Sequence, residues 1–445
     1  MITNGSHFLF RAEAIAPLVT FRILYGLLMT YGAVRFMLNG WVEKLYGEPT
    51  FFFKFYGFHW VPEPGVTGAY LLYICMAVCG ILIAAGLLYR LAVALFFVSF
   101  TWAELIDATN YLNHYYLAAI LALFLFFIPA NGARSLDVLI WPKLRSTTLP
   151  AWCRWAIITQ LSLVYFFAGL AKLNPDWLFR AMPLAIWLPE HADLPLIGPL
   201  LAEPTTAYVF SWAGALYDLT IVCWLLWKPS RPLAYIAVLG FHLMTWLLFN
   251  IGLFPLIMIT STLIFFSEEW HERWQLRLGF SPMRPEDSRP IFNKDQVMVK
   301  WLLATFFIVQ LLLPLRVLAY PGSTFWTEEG YRFGWRVMLV EKTGQATFTV
   351  HDPKTGHRAE VINSEFLTKF QEKQMAIQPD FMVQYAHHLA RIYGERYDIE
   401  NPRVTAEVYV ALNGRTSQQF IDPEVDLAAQ IDDLQHKKWI IPFRP

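Results

Sequence analysis

The sequence predicts a membrane-embedded, all-α bundle of about nine transmembrane helices, followed by a small extracytoplasmic α+β domain. The 445 residues are 56% hydrophobic and only 16% charged, whereas an ordinary soluble domain has about 25% charged residues. Apolar runs near the roughly 20 residues that a spanning helix needs recur along the first part of the chain. We therefore expect a helical membrane domain at residues 1–319 and, where the composition changes, a soluble domain at residues 320–445.

Nine apolar runs are the candidates for spans. The third, fourth and eighth are short, so eight spans is the alternative count. The runs lie at residues 17–38, 68–88, 91–106, 115–128, 152–171, 206–227, 233–249, 252–266 and 299–318.

Lysine and arginine gather in alternate loops between these runs, as the positive-inside rule requires. One set of loops contains Arg90, Arg134 and Lys228, together with an arginine-rich segment at residues 267–296. Two loops of the opposite set contain no lysine or arginine. The pattern predicts nine spans, with the N-terminus in the cytoplasm and the C-terminal domain outside it. From the length and the lack of a recognisable cleavable signal, we expect the bacterial inner membrane.

Segments outside the runs have patterns of their own. Residues 51–65, FFFKFYGFHWVPEPG, are rich in aromatic residues, which suits a segment that lies in the lipid headgroup layer. In the C-terminal part, strand-like alternation at residues 347–351 and 406–412 and a helical run at residues 381–393 predict a mixed α+β domain.

Polar side chains collect toward the extracytoplasmic end of the predicted bundle. Asn113 and His114 begin the fourth span, Lys172 ends the fifth, and His242 and Asn250 lie in and after the seventh. Such residues are costly in lipid and usually mark function. Each also has an ordinary explanation: Lys172 and His114 as interfacial residues, His242 as a hydrogen-bonded core histidine, and Asn113 as a helix cap.

Several chemistries are excluded by motifs that the sequence lacks. The eleven histidines form neither HExxH nor a paired histidine box, so no metal is expected. Walker A, GxGxxG and GxSxG motifs are also missing. Lys+Arg and Asp+Glu balance at 35 each, which gives no electrostatic case for a nucleic-acid partner. Glu104 and Asp107, at the end of the third span, are expected to be solvated interface groups.

Several stretches occur in a fixed order along the chain: TNYLNHYY (109–116), FFAGLAKLNPDW (166–177), FHLMTWLLFNIG (241–252), WTEEGYRFGW (326–335) and QQFIDPEVD (418–426). Together they resemble the vitamin K-dependent γ-glutamyl carboxylases and their bacterial relatives. The resemblance implies that reduced vitamin K, or a menaquinol in its place, reacts with O2 to give a strongly basic oxygenated species. That base removes a γ-proton from a glutamyl residue of a protein or peptide partner, the carbanion takes up CO2, and the quinone leaves as its 2,3-epoxide.

The resemblance also implies roles for the polar residues in the membrane domain. Lys172 matches the catalytic base, and we expect a desolvated lysine there to act as a neutral amine. His114 matches a histidine that assists the carbanion or CO2 step. Asn113 matches a position suited to hydrogen-bonding a quinol oxygen, and we expect His242 and Asn250 to help bind the same quinol.

In the soluble domain, Trp326, Tyr331 and Trp335 match positions near the glutamate site. One position departs from the family pattern: carboxylating members have a histidine five residues after the second tryptophan, and Val340 stands here. Two alternatives to a carboxylase therefore stay open. One is a quinol epoxidase or oxygenase that does not carboxylate, and the other is a membrane protein that binds or transports a quinone or lipid.

Overall fold

The structure, a computed structural model, describes residues 8–283 and 296–444. Its N-terminal part is helical apart from two short antiparallel strands, β1 (Ala12–Ala14) and β2 (Thr148–Pro150). The helices of this part are α1 (Ala16–Leu38), α2 (Trp41–Tyr46), α3 (Gly65–Ala85), α4 (Tyr89–Ile106), α5 (Asn113–Phe127), α6 (Leu136–Ile140), α7 (Trp152–Ala171), α8 (Pro175–Arg180), α9 (Leu184–Trp187), α10 (Gly198–Leu201), α11 (Pro204–Leu226), α12 (Arg231–Leu248), α13 (Phe254–Thr262), α14 (Glu268–Arg277) and α15 (Gln296–Leu315).

Among the described residues, seven helices are long and apolar enough to cross a membrane. They coincide with seven of the nine predicted runs, so the prediction of a multi-span membrane protein is confirmed. The fourth and eighth runs form shorter apolar helices, α5 and α13, which fall below the roughly 20 residues of a full span. The count of nine spans therefore remains a prediction. The seven are α1, α3, α4, α7, α11, α12 and α15, the last continuing in a helical turn to Ala319.

Helices α1 and α3 pack closely at a pair of glycines. A Cβ added to Gly26 would lie 2.5 Å from the carbonyl oxygen of Gly80, and a Cβ added to Gly80 would overlap the Thr30 hydroxyl. That hydroxyl donates to the carbonyl oxygen of Gly26 at 2.9 Å. In a bilayer, helix association depends on close van der Waals packing, which small residues allow. The two glycines therefore set the distance between these spans.

The C-terminal part forms a four-stranded antiparallel sheet of β3 (Lys342–His351), β4 (Arg358–Glu360), β5 (Arg403–Leu412) and β6 (Gln418–Gln419). The strand order in the sheet is β4–β3–β5–β6. The three predicted segments lie within β3, α18 and β5, so the α+β character is confirmed. Lys342 stands opposite Leu412 and His351 opposite Arg403 in the central strand pair. The helices of this part are α16 (Thr324–Thr327), α17 (Lys369–Met375) and α18 (Pro379–Tyr397).

The aromatic segment after α2 differs from the expectation of a headgroup-layer loop over its first half. Phe53 is fully buried in the core of the soluble domain, with its ring centroid 4.8 Å from that of Phe381 in α18. The Lys54 backbone N–H donates to Gln384 Oε1 at 2.8 Å. Trp60, in the second half, is exposed. The segment therefore joins the two parts of the molecule before it reaches the surface.

Candidate active site

Lys172 lies where α7 ends, and the local sequence explains that end. The Lys172 backbone N–H bonds to the carbonyl oxygen of Gly169 at 3.0 Å and closes the helix. Asn174 then caps α8 by accepting from the Trp177 backbone N–H at 3.0 Å, and Pro175 occupies the first helical turn, where its missing N–H costs nothing. The NPDW sequence therefore makes a sharp turn directly after the lysine.

The Lys172 side chain does not extend to the surface. Its ammonium donates to Asp218 Oδ2 at 2.6 Å and to the carbonyl oxygen of Ala168 at 3.4 Å. It also lies 5.3 Å from the ring centroid of Trp177. Lys172 and Asp218 are 6% and 5% exposed, so the interfacial-anchor explanation does not hold. Whether Lys172 acts as the neutral amine that we expected stays a prediction, and its partner in the structure is the Asp218 carboxylate.

Asp218 was missed by the sequence reasoning, although a signal was present. It is the only Asp, Glu, Lys or Arg in α11, and an ionisable residue inside a span is a functional candidate by default. Most of the other polar candidates lie at the ends of spans, whereas Asp218 lies well inside α11.

A small cavity of about 90 Å³ adjoins the ion pair, lined by Lys172, Asp218, Tyr165, His242 and mostly apolar neighbours. His242 is 1% exposed, and its Nε2 lies 3.2 Å from the Tyr165 hydroxyl. Its Nδ1 has no hydrogen-bond partner among the described residues. Because buried polar atoms are normally paired, this nitrogen is available to a bound molecule.

A larger cavity of about 470 Å³ holds other predicted site residues on its wall: Asn113, His114, Asn250 and Tyr331. The ring centroid of Phe254 lies 5.8 Å from that of His114 and 5.9 Å from that of His242. The structure therefore divides the predicted site between two adjacent cavities. Both cavities share the wall residues Ile251, Phe254, Val337 and Met338.

Asn113 ties the membrane bundle to the chain that leads into the soluble domain. Its Oδ1 accepts from the Tyr111 hydroxyl at 3.0 Å, and its Nδ2 donates to the carbonyl oxygen of Arg336 at 3.0 Å. It makes no helix cap, because the cap position is held by Leu112. One lone pair and one amide hydrogen remain for a ligand, since an amide has two of each.

The expectation of solvated carboxylates at the end of α4 is wrong. Asp107 is buried; its Oδ1 accepts from the backbone and hydroxyl of Thr109, at 2.9 and 2.7 Å. Its Oδ2 accepts from Gln371 Nε2 of the soluble domain at 2.8 Å. Glu104 lines the larger cavity. One carboxylate therefore joins the two parts of the chain, and the other faces the candidate site.

Of the three aromatic residues expected near the glutamate site, only Tyr331 lines a cavity described here. It borders the larger membrane cavity and two cavities of about 310 and 320 Å³ on the soluble domain. Trp335 is buried and stacks on Tyr116 with ring centroids 5.2 Å apart. Trp326 lies in the soluble core, and its Nε1 donates to the carbonyl oxygen of Ile441 at 2.8 Å. The two tryptophans therefore serve the packing of the protein, and their role near the glutamate site stays a prediction.

The 310 Å³ cavity, called the outer cavity below, contains Val340 and Lys342 beside Tyr331. The Lys342 ammonium donates to the carbonyl oxygens of Trp326 and Ile377, at 2.6 and 2.8 Å, and to Glu328 Oε1 at 3.2 Å. Burial lowers the pKa of Lys342, and the Glu328 carboxylate opposes that effect. The hydrogen-bond donors of the Lys342 ammonium are therefore largely taken up by groups of the protein itself.

Comparisons with known proteins cover nearly the whole chain. Residues 10–270 match the HTTM domain family model, and residues 295–445 match the model of the vitamin K-dependent gamma-carboxylase lumenal domain. No solved structure matches the chain. The two matched models cover both halves of the sequence, and the buried lysine and the adjacent cavities agree with them. The chain therefore belongs to the vitamin K-dependent γ-carboxylase family.

Proposed function

We propose that this protein is a γ-glutamyl carboxylase of the membrane, which oxidises reduced vitamin K to its epoxide and carboxylates glutamyl residues of a protein partner. The observation that carries the proposal is the buried Lys172–Asp218 pair beside a cavity that shares a wall with the His114 cavity. The lumenal-domain match supports an extracytoplasmic soluble domain. The cytoplasmic N-terminus and the bacterial inner membrane remain part of the proposal.

The residues around the two cavities fit a quinol. The larger cavity has the size of a typical ligand pocket, about 300–1,000 Å³, and its wall is mainly apolar and aromatic with a few polar groups. Asn113 has a free amide hydrogen and lone pair, and His242 Nδ1 lacks a partner among the residues that the structure describes. When bound, reduced vitamin K supplies, on oxidation by O2, the base that removes the γ-proton. A menaquinol would meet the same side chains.

The protein's own contribution is to position groups, move protons and exclude water. Lys172 is the proton acceptor for a quinol hydroxyl, held in place by Asp218. His114, which packs against Tyr115 and Phe254, is the group that assists at the carbanion or CO2 step. The apolar walls keep water from quenching a carbanion.

A route for the glutamyl side chain leads through two tyrosines. Tyr111 and Tyr331 line both the outer cavity and the larger membrane cavity. A side chain bound beside Val340 therefore reaches the His114 cavity by passing between them. Lys373, exposed on the outer cavity wall, is the cation that we assign to its carboxylate, because Lys342 already pairs with Glu328 and Arg332 with Asp380.

A second candidate is quinol epoxidation without carboxylation, and Val340 favours it. Valine presents no hydrogen-bond donor or titratable group to a glutamyl carboxylate in the outer cavity. The groups of the Lys172 cavity do not depend on that position, so quinol oxidation can persist where glutamate binding has been lost.

The deciding experiment uses the purified full-length protein in detergent, with reduced vitamin K, O2, labelled bicarbonate and a glutamyl peptide. Lys172→Ala is compared with Lys143→Ala, at an exposed lysine that lines neither cavity of the site. Epoxide and peptide-bound label, both lost only in Lys172→Ala, would establish the carboxylase. Epoxide without label would establish the epoxidase. Neither product from folded protein, with quinone binding retained, would point to binding or transport instead.

A further inference from the structure

We propose that the base of this site is the Lys172–Asp218 pair as a unit, with Asp218 storing the proton that Lys172 must give up; this rests on the proposed function. The pair joins the end of α7 to the middle of α11 across 2.6 Å. Both side chains are almost fully buried. A charged pair out of water persists only where each partner neutralises the other.

The need for a proton store follows from the chemistry of lysine. An ammonium has three N–H donors and no lone pair, so it cannot accept a proton. Lys172 Nζ donates to Asp218 Oδ2 and, at 3.4 Å, to the carbonyl oxygen of Ala168. A backbone carbonyl is far too weak a base to take this proton, whereas a carboxylate is a much stronger base. Asp218 is therefore the acceptor that can turn Lys172 into an amine.

The other titratable groups of this cavity do not serve the same purpose. His242 and Tyr165 line it, with His242 Nε2 3.2 Å from the Tyr165 hydroxyl, but among the described residues neither one hydrogen-bonds to the Lys172 ammonium, whose side-chain partner is Asp218. Tyr217 packs beside them, with its ring centroid 5.9 Å from that of Tyr165 and 6.3 Å from that of His242. No carboxylate besides Asp218 lines this cavity in the described part of the chain.

The proton balance of the step is simple. The ammonium proton moves from Nζ to Asp218 Oδ2, the O–H bond of the quinol breaks, and a new N–H bond forms at Nζ. The pair begins as ammonium and carboxylate, with no net charge, and ends as ammonium and carboxylic acid, with a charge of plus one. That charge balances the negative charge left on the phenolic oxygen. No oxidant takes part.

The test measures the carboxyl group directly, without turnover. Reduced vitamin K is added without O2 to the full-length protein in detergent, and an infrared difference spectrum is recorded in the region of protonated carboxyl groups. Oxidised vitamin K, which has no hydroxyl proton to give, is the ligand control. We expect a new band in the wild type that shifts in Asp218→Glu and is lost in Asp218→Asn. Asp193→Asn, at an exposed aspartate between α7 and α11, should keep it.

Turnover with O2 provides a second readout. We expect Asp218→Asn to lower the epoxide rate by about 10²-fold or more, the usual contribution of a positioned acid or base, at every pH tested. If Lys172 acts alone, removing its counter-ion makes the buried amine easier to deprotonate, so epoxidation would persist and extend to lower pH. That result, or a wild-type spectrum without the band, would overturn the proposal.

The outcomes separate this inference from the proposed function. Epoxide formation by a wild type that shows no carboxyl band overturns the inference and leaves the epoxidase or carboxylase intact. A wild type that gives no epoxide and no spectral change with reduced vitamin K overturns both. If Asp218→Asn does not fold, the shift of the band in Asp218→Glu still decides whether the band belongs to this residue.

Discussion

Arg415, just beyond β5, holds Asp176 through both of its terminal nitrogens, with Nη2 to Oδ1 at 2.6 Å and Nη1 to Oδ2 at 2.8 Å. Asn413 Nδ2 adds a third bond to Oδ2 at 2.8 Å. Asp176 lies in the first turn of α8, four residues after Lys172. The sheet of the soluble domain therefore holds in place the turn that follows Lys172, the candidate base.

We expect Arg415→Ala to lower the epoxide rate about tenfold. Losing a charge-assisted pair costs about 1.5–3 kcal/mol, and part of that loss should appear as misplacement of Lys172. The measurement is kcat and KM for reduced vitamin K. Arg403→Ala, which removes a more exposed ion pair with Glu424 at the other end of β5, is the matched control. Equal rates in the two variants would contradict the coupling.

The contact between Arg415 and Asp176 should weaken in acid, so the soluble sheet should then hold the turn after Lys172 less firmly. Burial opposes ionisation of Asp176, but hydrogen bonds from Arg415 and Asn413 outweigh it and lower the pKa of this carboxyl from its ordinary value. A depressed carboxyl pKa contributes stability above the unfolded value of about 3.9, and the contribution is lost as pH falls through the folded value. Hydrogen exchange of residues 172–180 should rise below about pH 4. Asp176→Asn should remove that pH dependence.

Removing one partner of the Lys172–Asp218 pair should destabilise the protein more than removing both. A single buried charge without its partner costs about 3–5 kcal/mol, whereas a hydrophobic pair of similar volume is often neutral. We expect Lys172→Met and Asp218→Leu each to lower the melting temperature in detergent, and the double variant to recover most of the loss. Additive losses would show that the two side chains do not share a buried site.

Val340→His should raise carboxylation relative to epoxidation, because it adds a hydrogen-bonding, titratable group to the outer cavity. The measurement is peptide-bound label per epoxide formed. Val340→Leu controls for added volume and should leave the ratio unchanged. A ratio that does not respond to histidine would place the determinant of glutamate recognition elsewhere.

Gly26→Ala should destabilise the bundle, because its Cβ would lie 2.5 Å from the carbonyl oxygen of Gly80 and force α1 away from α3. Gly240→Ala in α12 is the matched control, since nothing lies within 4 Å of a Cβ there. We expect a clear fall in melting temperature for the first variant and almost none for the second. Similar melting temperatures would show that the two spans separate at little cost.

Most of the architecture could be predicted from the sequence, because membrane spans and strands are marked by local patterns of hydrophobic residues. Apolar runs located the seven long helices, and the end of the fifth run placed Lys172 at the end of its helix. Contacts between distant segments could not be predicted, because no local sequence pattern encodes them. Examples are the hydrogen bond from Asn113 to the carbonyl oxygen of Arg336 and the one from Gln371 to Asp107. Asp218 is the intermediate case, because its rarity inside a span was visible but its partner, 46 residues earlier, was not.

Tyr331 borders three separate cavities, so a single aromatic ring stands where a peptide arriving from outside and a lipid-soluble reductant arriving from the bilayer would meet. On the proposed function, a glutamyl side chain that passes this ring would close the way between the outer cavity and the larger membrane cavity. The peptide would then seal the chamber in which it reacts. In such an arrangement the glutamyl peptide itself would close the reaction chamber. The order in which the peptide and the quinol bind would then decide whether oxidation of the quinol leads to carboxylation or only to epoxide.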